Sequence, residues 1–120
     1  SGNLTGSPPS LSPNPPTCNV EFEILANLTN TGQANTNSPV SVTIQDVHVA
    51  TGQVQSSFTR EVPALTPGQN WVVGGPLTIS TFFGEEHRIE VIIDTGNQVN
   101  ETNENDNRLT TTYVLQQGGC

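Results

Sequence analysis

A regular alternation of apolar and polar side chains between residues 18 and 29 constrains the fold more than any other stretch. The positions between the apolar ones carry mostly carboxylates, amides or hydroxyls. Successive side chains of a β-strand point to opposite faces of a sheet, so this period of two predicts a long strand with one buried face. The apolar positions are Cys18, Val20, Phe22, Ile24, Ala26 and Leu28.

The same period recurs along the rest of the chain, and turn residues separate the segments. Asn30-Thr-Gly32 and Pro67-Gly68 are such turns, because glycine adopts the positive φ that they require and proline presets the φ before it. Further strands are predicted over residues 40–49, 54–62, 71–79, 89–94 and 109–115. Six strands with short turns and no helical period predict an all-β antiparallel sandwich.

Three of these segments carry finer predictions. The alternation in the second strand shifts by one near Asp46, which indicates a β-bulge. The polar segment 54–62 is typical of an edge strand, where Ser, Thr and Gln discourage unwanted pairing. Gly74-Gly-Pro76 interrupts the strand that begins at Trp71, so we predict a second bulge or kink there.

Composition excludes several classes of partner. The 120 residues contain 3 basic and 11 acidic side chains, a net charge of −8, which repels phosphate backbones and makes nucleic acid a poor partner. No run of about twenty apolar residues occurs, so no membrane span is predicted. The length fits one domain, and because it opens at Ser1 without a methionine, we expect a processed or excised piece.

Residues 1–17 differ from the rest. They contain five prolines, and Leu4 and Leu11 are their large apolar side chains. Proline cannot donate to a β-ladder, so this segment is predicted to be an extended, Pro-rich arm. It is either a linker or a segment that docks on a folded surface.

Several motifs together resemble the CARDB domain, a cell-adhesion-related domain of bacteria and archaea. They are Asn30-Thr-Gly32 after a long strand, Leu65-Thr-Pro-Gly68 before the next, and Ile89–Asp94 followed by Glu101, Glu104, Asn105 and Asn107. The resemblance covers about residues 19–117. It implies an immunoglobulin-like sandwich of six to seven strands, an extracellular location, and adhesive, spacer or surface-layer roles without catalysis. The expected division is an arm at 1–17, a sandwich at 18–117 and a Gly-Gly-Cys tail at 118–120.

The chain departs from this family at its start, where the arm replaces the usual first strand. A missing edge strand leaves unpaired backbone groups and an apolar groove. The chain's own arm, with Leu4 and Leu11, fills it, or a neighbouring molecule's arm does so by strand complementation. The second arrangement polymerises, so the expected function is a subunit of an extracellular fibre. The alternative is an adhesion or spacer module of a larger surface or secreted protein, with carbohydrate binding as a weaker option.

The two cysteines, Cys18 and Cys120, leave three pairings open. An intrachain disulfide closing a loop of about a hundred residues is favoured, an intermolecular disulfide is the second option and free thiols the third. A disulfide suits an extracellular compartment. The sequons at Asn3, Asn27 and Asn100 predict N-glycosylation, and hence a surface that carries glycans.

The remaining side chains offer weak chemistry. Carboxylates of one polar loop provide oxygen ligands for calcium, although their spacing does not fit the helix-loop-helix calcium motif. They are Asp94, Glu101, Glu104 and Asp106. His48 and His87 lack other ligands at metal spacing and are expected on the surface. Trp71 is interpreted as a residue that fills the core, in preference to a platform on which a sugar would stack. No catalytic signature occurs, and no enzyme activity is predicted.

Overall fold

The structure is a computed structural model that describes residues 2–36, 40–93 and 108–120. Within these ranges the chain forms eight β-strands and no helix. The strands are β1 (Leu4–Gly6), β2 (Ser10–Ser12), β3 (Phe22–Asn30), β4 (Val40–His48), β5 (Gln53–Val62), β6 (Asn70–Leu77), β7 (Glu86–Ile93) and β8 (Arg108–Val114).

Two antiparallel sheets form a sandwich, as the alternation predicts. In the first sheet β3 is central, with β1 and β2 on one side and β6 on the other. The second sheet has the order β5-β4-β7-β8. The polar strand β5 lies at an edge, as its composition predicts. The apolar face of every long strand points into one core.

The arm supplies the edge strand of the first sheet within the same chain. Leu4 lies opposite Asn30 in the β1–β3 ladder, and Leu11 lies opposite Ile24 in the β2–β3 ladder. Both leucines are buried in the core. The groove that a missing strand would leave is therefore filled by the chain's own arm.

The two bulge predictions have opposite outcomes. The register between β4 and β5 shifts between Asp46 and Val47, so a bulge lies where the first was predicted. Its extra residue is Gln55 of β5, however, and β4 keeps its alternation, since it pairs with β7 in unbroken register through His48. The second is wrong, because β6 pairs with β3 in unbroken register from Asn70 to Leu77. The glycines serve close packing instead: a Cβ at Gly74 would lie 1.9 Å from the Ile24 carbonyl oxygen, and one at Gly75 would lie 2.7 Å from an Arg60 nitrogen. Pro76 is tolerated since its strand pairs on one side.

The C-terminal residues are fastened to the end of the arm. Cys18 and Cys120 form a disulfide within the chain, at the end of the sandwich where β3 begins. Main-chain hydrogen bonds join the Cys18 N–H to the Gln116 carbonyl at 2.8 Å and the Gly119 N–H to the Cys18 carbonyl at 3.1 Å. Of the three pairings that the sequence left open, the structure has the intrachain one.

Candidate functional site

A cluster of buried polar side chains lies at the end of the core where β3 begins. Asp46 and His48 come from the end of β4, His87 from the start of β7 and Tyr113 from β8. All four occupy inward-facing positions, because they share parity along their strands with buried apolar residues such as Ile44 and Ile89. Strand pairing brings His48 opposite His87 and His87 opposite Tyr113.

His87 and Tyr113 both bind Asp46. The His87 Nδ1 lies 2.7 Å from one carboxylate oxygen of Asp46, and its Nε2 lies 3.0 Å from the carbonyl oxygen of Phe82. Both partners accept hydrogen bonds, so a ring that satisfies both carries a proton on each nitrogen. The Tyr113 hydroxyl donates to the other oxygen of Asp46. The geometry thus fits a fully buried histidine–aspartate pair in which both ring nitrogens and both carboxylate oxygens have hydrogen-bond partners.

The environment of Tyr113 stabilises the neutral phenol. Burial comes first, and the hydrogen bond to Asp46 and the charge of that carboxylate add to it, so the pKa of Tyr113 is raised well above its ordinary value of 10.0. The ring also lies edge-on to Phe22 of β3, with centroids 6.0 Å apart. Tyr113 thereby links the two sheets.

His48 and His87 together fix the loop before β7. The His48 Nε2 lies 2.7 Å from a carboxylate oxygen of Glu85, and its ring stacks on Phe82 with centroids 3.6 Å apart. Phe82 has a φ of 59°, a left-handed conformation that is costly for an aromatic residue. The stacking on His48 and the hydrogen bond from His87 to its carbonyl hold it there.

The expectation that the two histidines lie on the surface is wrong. His48 is 2% exposed and His87 is 0% exposed, and their rings are 5.8 Å apart. The alternation offered a signal that was missed for His87, which shares the parity of Ile89 and Val91. His48 was misplaced because the alternation was predicted to shift within β4, whereas the extra residue of the bulge lies on β5. Nε2 of His87 faces a main-chain carbonyl, so this aspartate–histidine pair has no hydroxyl to activate. Its geometry fits structural support.

A second buried polar centre, Asn30, lies at the opposite end of the sandwich. Its side-chain oxygen accepts from the N–H groups of Asn3 and Gly32 at 3.1 and 3.0 Å. Its amide nitrogen donates to the carbonyls of Ala34 and Leu65 at 2.9 and 3.0 Å. One side chain therefore joins the arm, the Asn-Thr-Gly turn and the Leu-Thr-Pro-Gly turn.

A third polar group covers the outer face of the second sheet. Glu90 accepts hydrogen bonds from Arg88, Gln45 and Arg108, at 2.7, 2.8 and 2.7 Å. Burial opposes ionisation of the Glu90 carboxyl, but the hydrogen bonds from Arg88 and Gln45 and the charges of both arginines outweigh it, so its pKa is lowered below 4.5. Two of the three arginines of this strongly acidic chain, Arg88 and Arg108, are therefore paired with the Glu90 carboxylate.

The predicted site residues lie in different parts of the molecule. Asn27 is exposed on the outer face of the first sheet, whereas the side-chain amide of Asn3 donates to the Thr31 hydroxyl at 3.2 Å. Trp71 is 39% exposed near the start of β6 and is not part of the core, so its interpretation as core filling is wrong. Asn100 and the calcium candidates Asp94, Glu101, Glu104 and Asp106 lie outside the described residues. In the ranges that are described, no three His, Cys, Asp or Glu side chains group as metal ligands.

These features define a class of protein: an immunoglobulin-like β-sandwich whose ends are fastened by buried polar residues and one disulfide. The sequence profile of the CARDB family matches residues 8–111. The chain belongs to the CARDB family, and its class is that of a surface-associated, adhesion-like module. The match includes β2, so the second half of the arm lies within the matched residues.

Known structures share the fold. A CARDB domain from Pyrococcus furiosus, solved in complex with di-metal ions, is 22% identical, with 95% of this chain and 88% of that one covered and a TM-score of 0.71. Residues 272–376 of a Methanosarcina acetivorans protein assigned to the cell surface are 24% identical, with coverages of 92% and 90% and a TM-score of 0.66. A β-glucuronidase from glycoside hydrolase family 2 is 14% identical, with a TM-score of 0.57. The match covers 96% of this chain but only 11% of that enzyme.

No curated protein matches the chain. The structural similarities, at these identities, show the fold alone. Among the described residues no helix has the length and apolar character needed to cross a membrane.

Proposed function

We propose that this chain is a non-catalytic structural module outside the cell, which acts as a spacer or adhesion unit of a larger surface or secreted protein. The observation that carries the proposal is the position of its two ends. A Cβ on Gly2 would touch Thr36, whose N–H bonds the Leu65 carbonyl beside Asn30 at the end of β3. Cys120 is linked to Cys18 near the start of β3. The chain enters at one end of the sandwich and leaves at the other.

This arrangement suits a module in a row. Segments attached before residue 2 and after residue 120 would extend from opposite ends of a body that measures 47 × 24 × 18 Å. An enzyme or a ligand-binding domain does not need its two chain ends at opposite ends of the fold, whereas a spacer does. The disulfide is typical of proteins that work outside the reducing cytosol.

A second candidate is a fibre subunit whose arm pairs with β3 of a neighbour. Support comes from the arm itself, which pairs through two strands of only three residues each, with Pro8 and Pro9 between them. Exchange between copies would make the same contacts in trans, as in domain swapping. Deleting the arm does not separate the two functions, because Leu4 and Leu11 belong to the core in either case.

A cysteine pair across the arm separates them. Thr5 and Thr29 are direct partners in the β1–β3 ladder. In a chain with Thr5→Cys and Thr29→Cys, oxidation gives a monomer on a non-reducing gel if the arm stays in its own sandwich. A ladder of covalent oligomers shows exchange and supports the fibre. Thr29→Cys alone is the control for random cross-links.

Sugars and calcium belong to the proposal as well. Asn27 is the best placed of the two described sequons, because it is exposed while the Asn3 amide is engaged. The intact mass of native material, before and after glycosidase treatment, tests all three sequons. Calcium held by Asp94, Glu101, Glu104 and Asp106 predicts a higher melting temperature with calcium than with a chelator. An unchanged melting temperature argues against it.

A further inference from the structure

The disulfide and the arm have a joint consequence that neither has alone. The shortest covalent path between residues 2 and 120 follows the arm to Cys18 and then crosses the disulfide. The residues between the two cysteines, which are 102 positions apart, lie off this path. We propose that arm and disulfide form a covalent strap that carries tension along the sandwich, so that the residues between the two cysteines are not stretched.

The inference rests on the proposed function, since only a module with segments attached at both ends is pulled. Whether the arm and the disulfide can carry tension nevertheless depends on this chain alone. It requires that the arm has little slack, that the arm is fixed along its length, and that the far end is closed.

The paired part of the arm, residues 4–12, is nearly taut. Leu4 lies opposite Asn30, and Ser12 lies opposite Glu23. Eight residue steps of the arm therefore cover seven steps of β3. A strand rises about 3.3 Å per residue and a chain can reach about 3.6 Å at most, so straightening this part gains only a few ångströms.

The arm is also held so that tension acts along its ladder. Hydrogen bonds between antiparallel strands run perpendicular to the strands, and a pull along the strand loads them together. At the Asn30 end, Asn3 exchanges main-chain contacts with the Asn30 side chain and the Thr31 N–H, at 3.1 and 2.8 Å. Leu4 and Leu11 anchor the arm in the core.

The far end is closed by more than the sulfur atoms. The Cys18 N–H donates to the Gln116 carbonyl, and the Gln116 N–H donates to the Pro16 carbonyl at 3.0 Å. These bonds align the end of the arm with the end of the chain, next to a disulfide whose Cα atoms are 5.7 Å apart. Load thus passes from one to the other over a short distance.

Pulling single molecules tests the strap. With tags fused at both ends, the oxidised chain is expected to reach only about 58 Å plus the disulfide, whereas a reduced chain reaches roughly 420 Å, at about 3.6 Å per residue. The expected effect of reductant is therefore an increase in contour length of about sevenfold. Contour length at high force does not depend on folding, so Cys18→Ala with Cys120→Ala serves as a second reduced state even if that variant is unfolded.

A matched control moves one tag to the exposed hairpin turn at Gly52. The load then crosses the sandwich, and the oxidised chain should show a large unfolding step. Full extension of the oxidised chain pulled from its ends would overturn the proposal. So would an unfolding step of the oxidised chain as large as the one seen with the tag at Gly52, since straightening the paired part of the arm gains only a few ångströms. Neither result bears on whether arms exchange between copies, which the cysteine-pair experiment tests separately.

Discussion

At each end of this sandwich a buried polar side chain joins segments that are distant in the sequence, but the two ends use different partners to do so. At one end, the neutral side chain of Asn30 binds main-chain groups of three segments. At the other, Asp46 binds the side chains of His87 and Tyr113 from two neighbouring strands. Both centres are buried and each ties distant segments together.

The difference lies in what remains when the centre is removed. The partners of Asn30 are peptide groups, which no substitution can delete. The partners of Asp46 are side chains, so they can be exchanged for apolar residues together with it, although this leaves the Phe82 carbonyl without its bond from His87. Buried ion pairs are costly to break but are often replaceable as a unit, because desolvation offsets much of their attraction.

The largest effect is expected from Asp46→Ala. It leaves the buried His87 Nδ1 and the Tyr113 hydroxyl without their hydrogen-bond partner, and loss of one partner of a buried pair costs about 3–5 kcal/mol of unfolding free energy. Urea unfolding followed by Trp71 fluorescence measures it. Glu85→Ala is the control, because that carboxylate is 51% exposed and should cost below about 1 kcal/mol.

Replacing the whole group sharpens the comparison. Asp46→Val combined with His87→Leu and Tyr113→Phe removes every charge of the cluster at once. We expect this triple variant to be more stable than Asp46→Ala alone. If the triple variant is less stable, the side-chain group is not exchangeable as a unit and the contrast with Asn30 fails.

The next effect is expected from Asn30→Ala. The N–H groups of Asn3 and Gly32 and the carbonyl of Ala34 lose the Asn30 side chain as their partner. The Leu65 carbonyl keeps only its bond from the Thr36 N–H. Each unsatisfied buried group costs about 1–3 kcal/mol, reduced where water can enter. A loss of about 2–3 kcal/mol in the same urea assay is the expected result. Asn27→Ala, on the exposed face of the same strand, should stay within about 0.5 kcal/mol of the parent chain. Equal losses in both variants would contradict the role assigned to Asn30.

These two ends also differ in how far the sequence predicted them. Asn30-Thr-Gly32 and Leu65-Thr-Pro-Gly68 are local motifs, and turn chemistry marks both, although their mutual contact is not visible in either. The Asp46 cluster joins residues 41 and 67 positions apart. The two histidines were predicted on the surface, although His87 lies on the inward parity of its strand; the predicted shift near Asp46 concealed the parity of His48. Sheet order, which brings them together, is not written in any single strand.

The arm shows a different limit. Its two strands have three residues each, too short for a period of two to be visible, and prolines separate them. Composition therefore indicated an extended arm but not its pairing partner. Long strands with clear alternation were predictable, whereas the pairing of short segments depends on the groove that the rest of the fold provides.

Tyr113→Phe is expected to have a smaller effect, with a distinctive pH dependence. Losing the hydroxyl leaves one oxygen of Asp46 without a partner, which costs about 1–2 kcal/mol near neutral pH. The raised pKa of Tyr113 favours the folded state below the unfolded value of 10.0, and this contribution is lost as pH rises above it. Urea unfolding from pH 8 to 11 should show a decline in the parent chain that is reduced in the variant. Parallel declines would contradict the buried, neutral phenol.

The smallest effect is expected on the outer face of the second sheet, where a charge network meets solvent. The side chains of Arg88 and Arg108 are 35% and 55% exposed, so screening limits each ion pair to about 0–1 kcal/mol. The lowered pKa of Glu90 stabilises the fold above about pH 4.5, and this contribution is lost as pH falls through the folded value. Glu90→Gln should therefore cost about 1 kcal/mol at pH 7 and less at pH 3. A cost at pH 7 as large as that of Asp46→Ala would mean that burial, and not pairing between side chains, sets the strength of both networks.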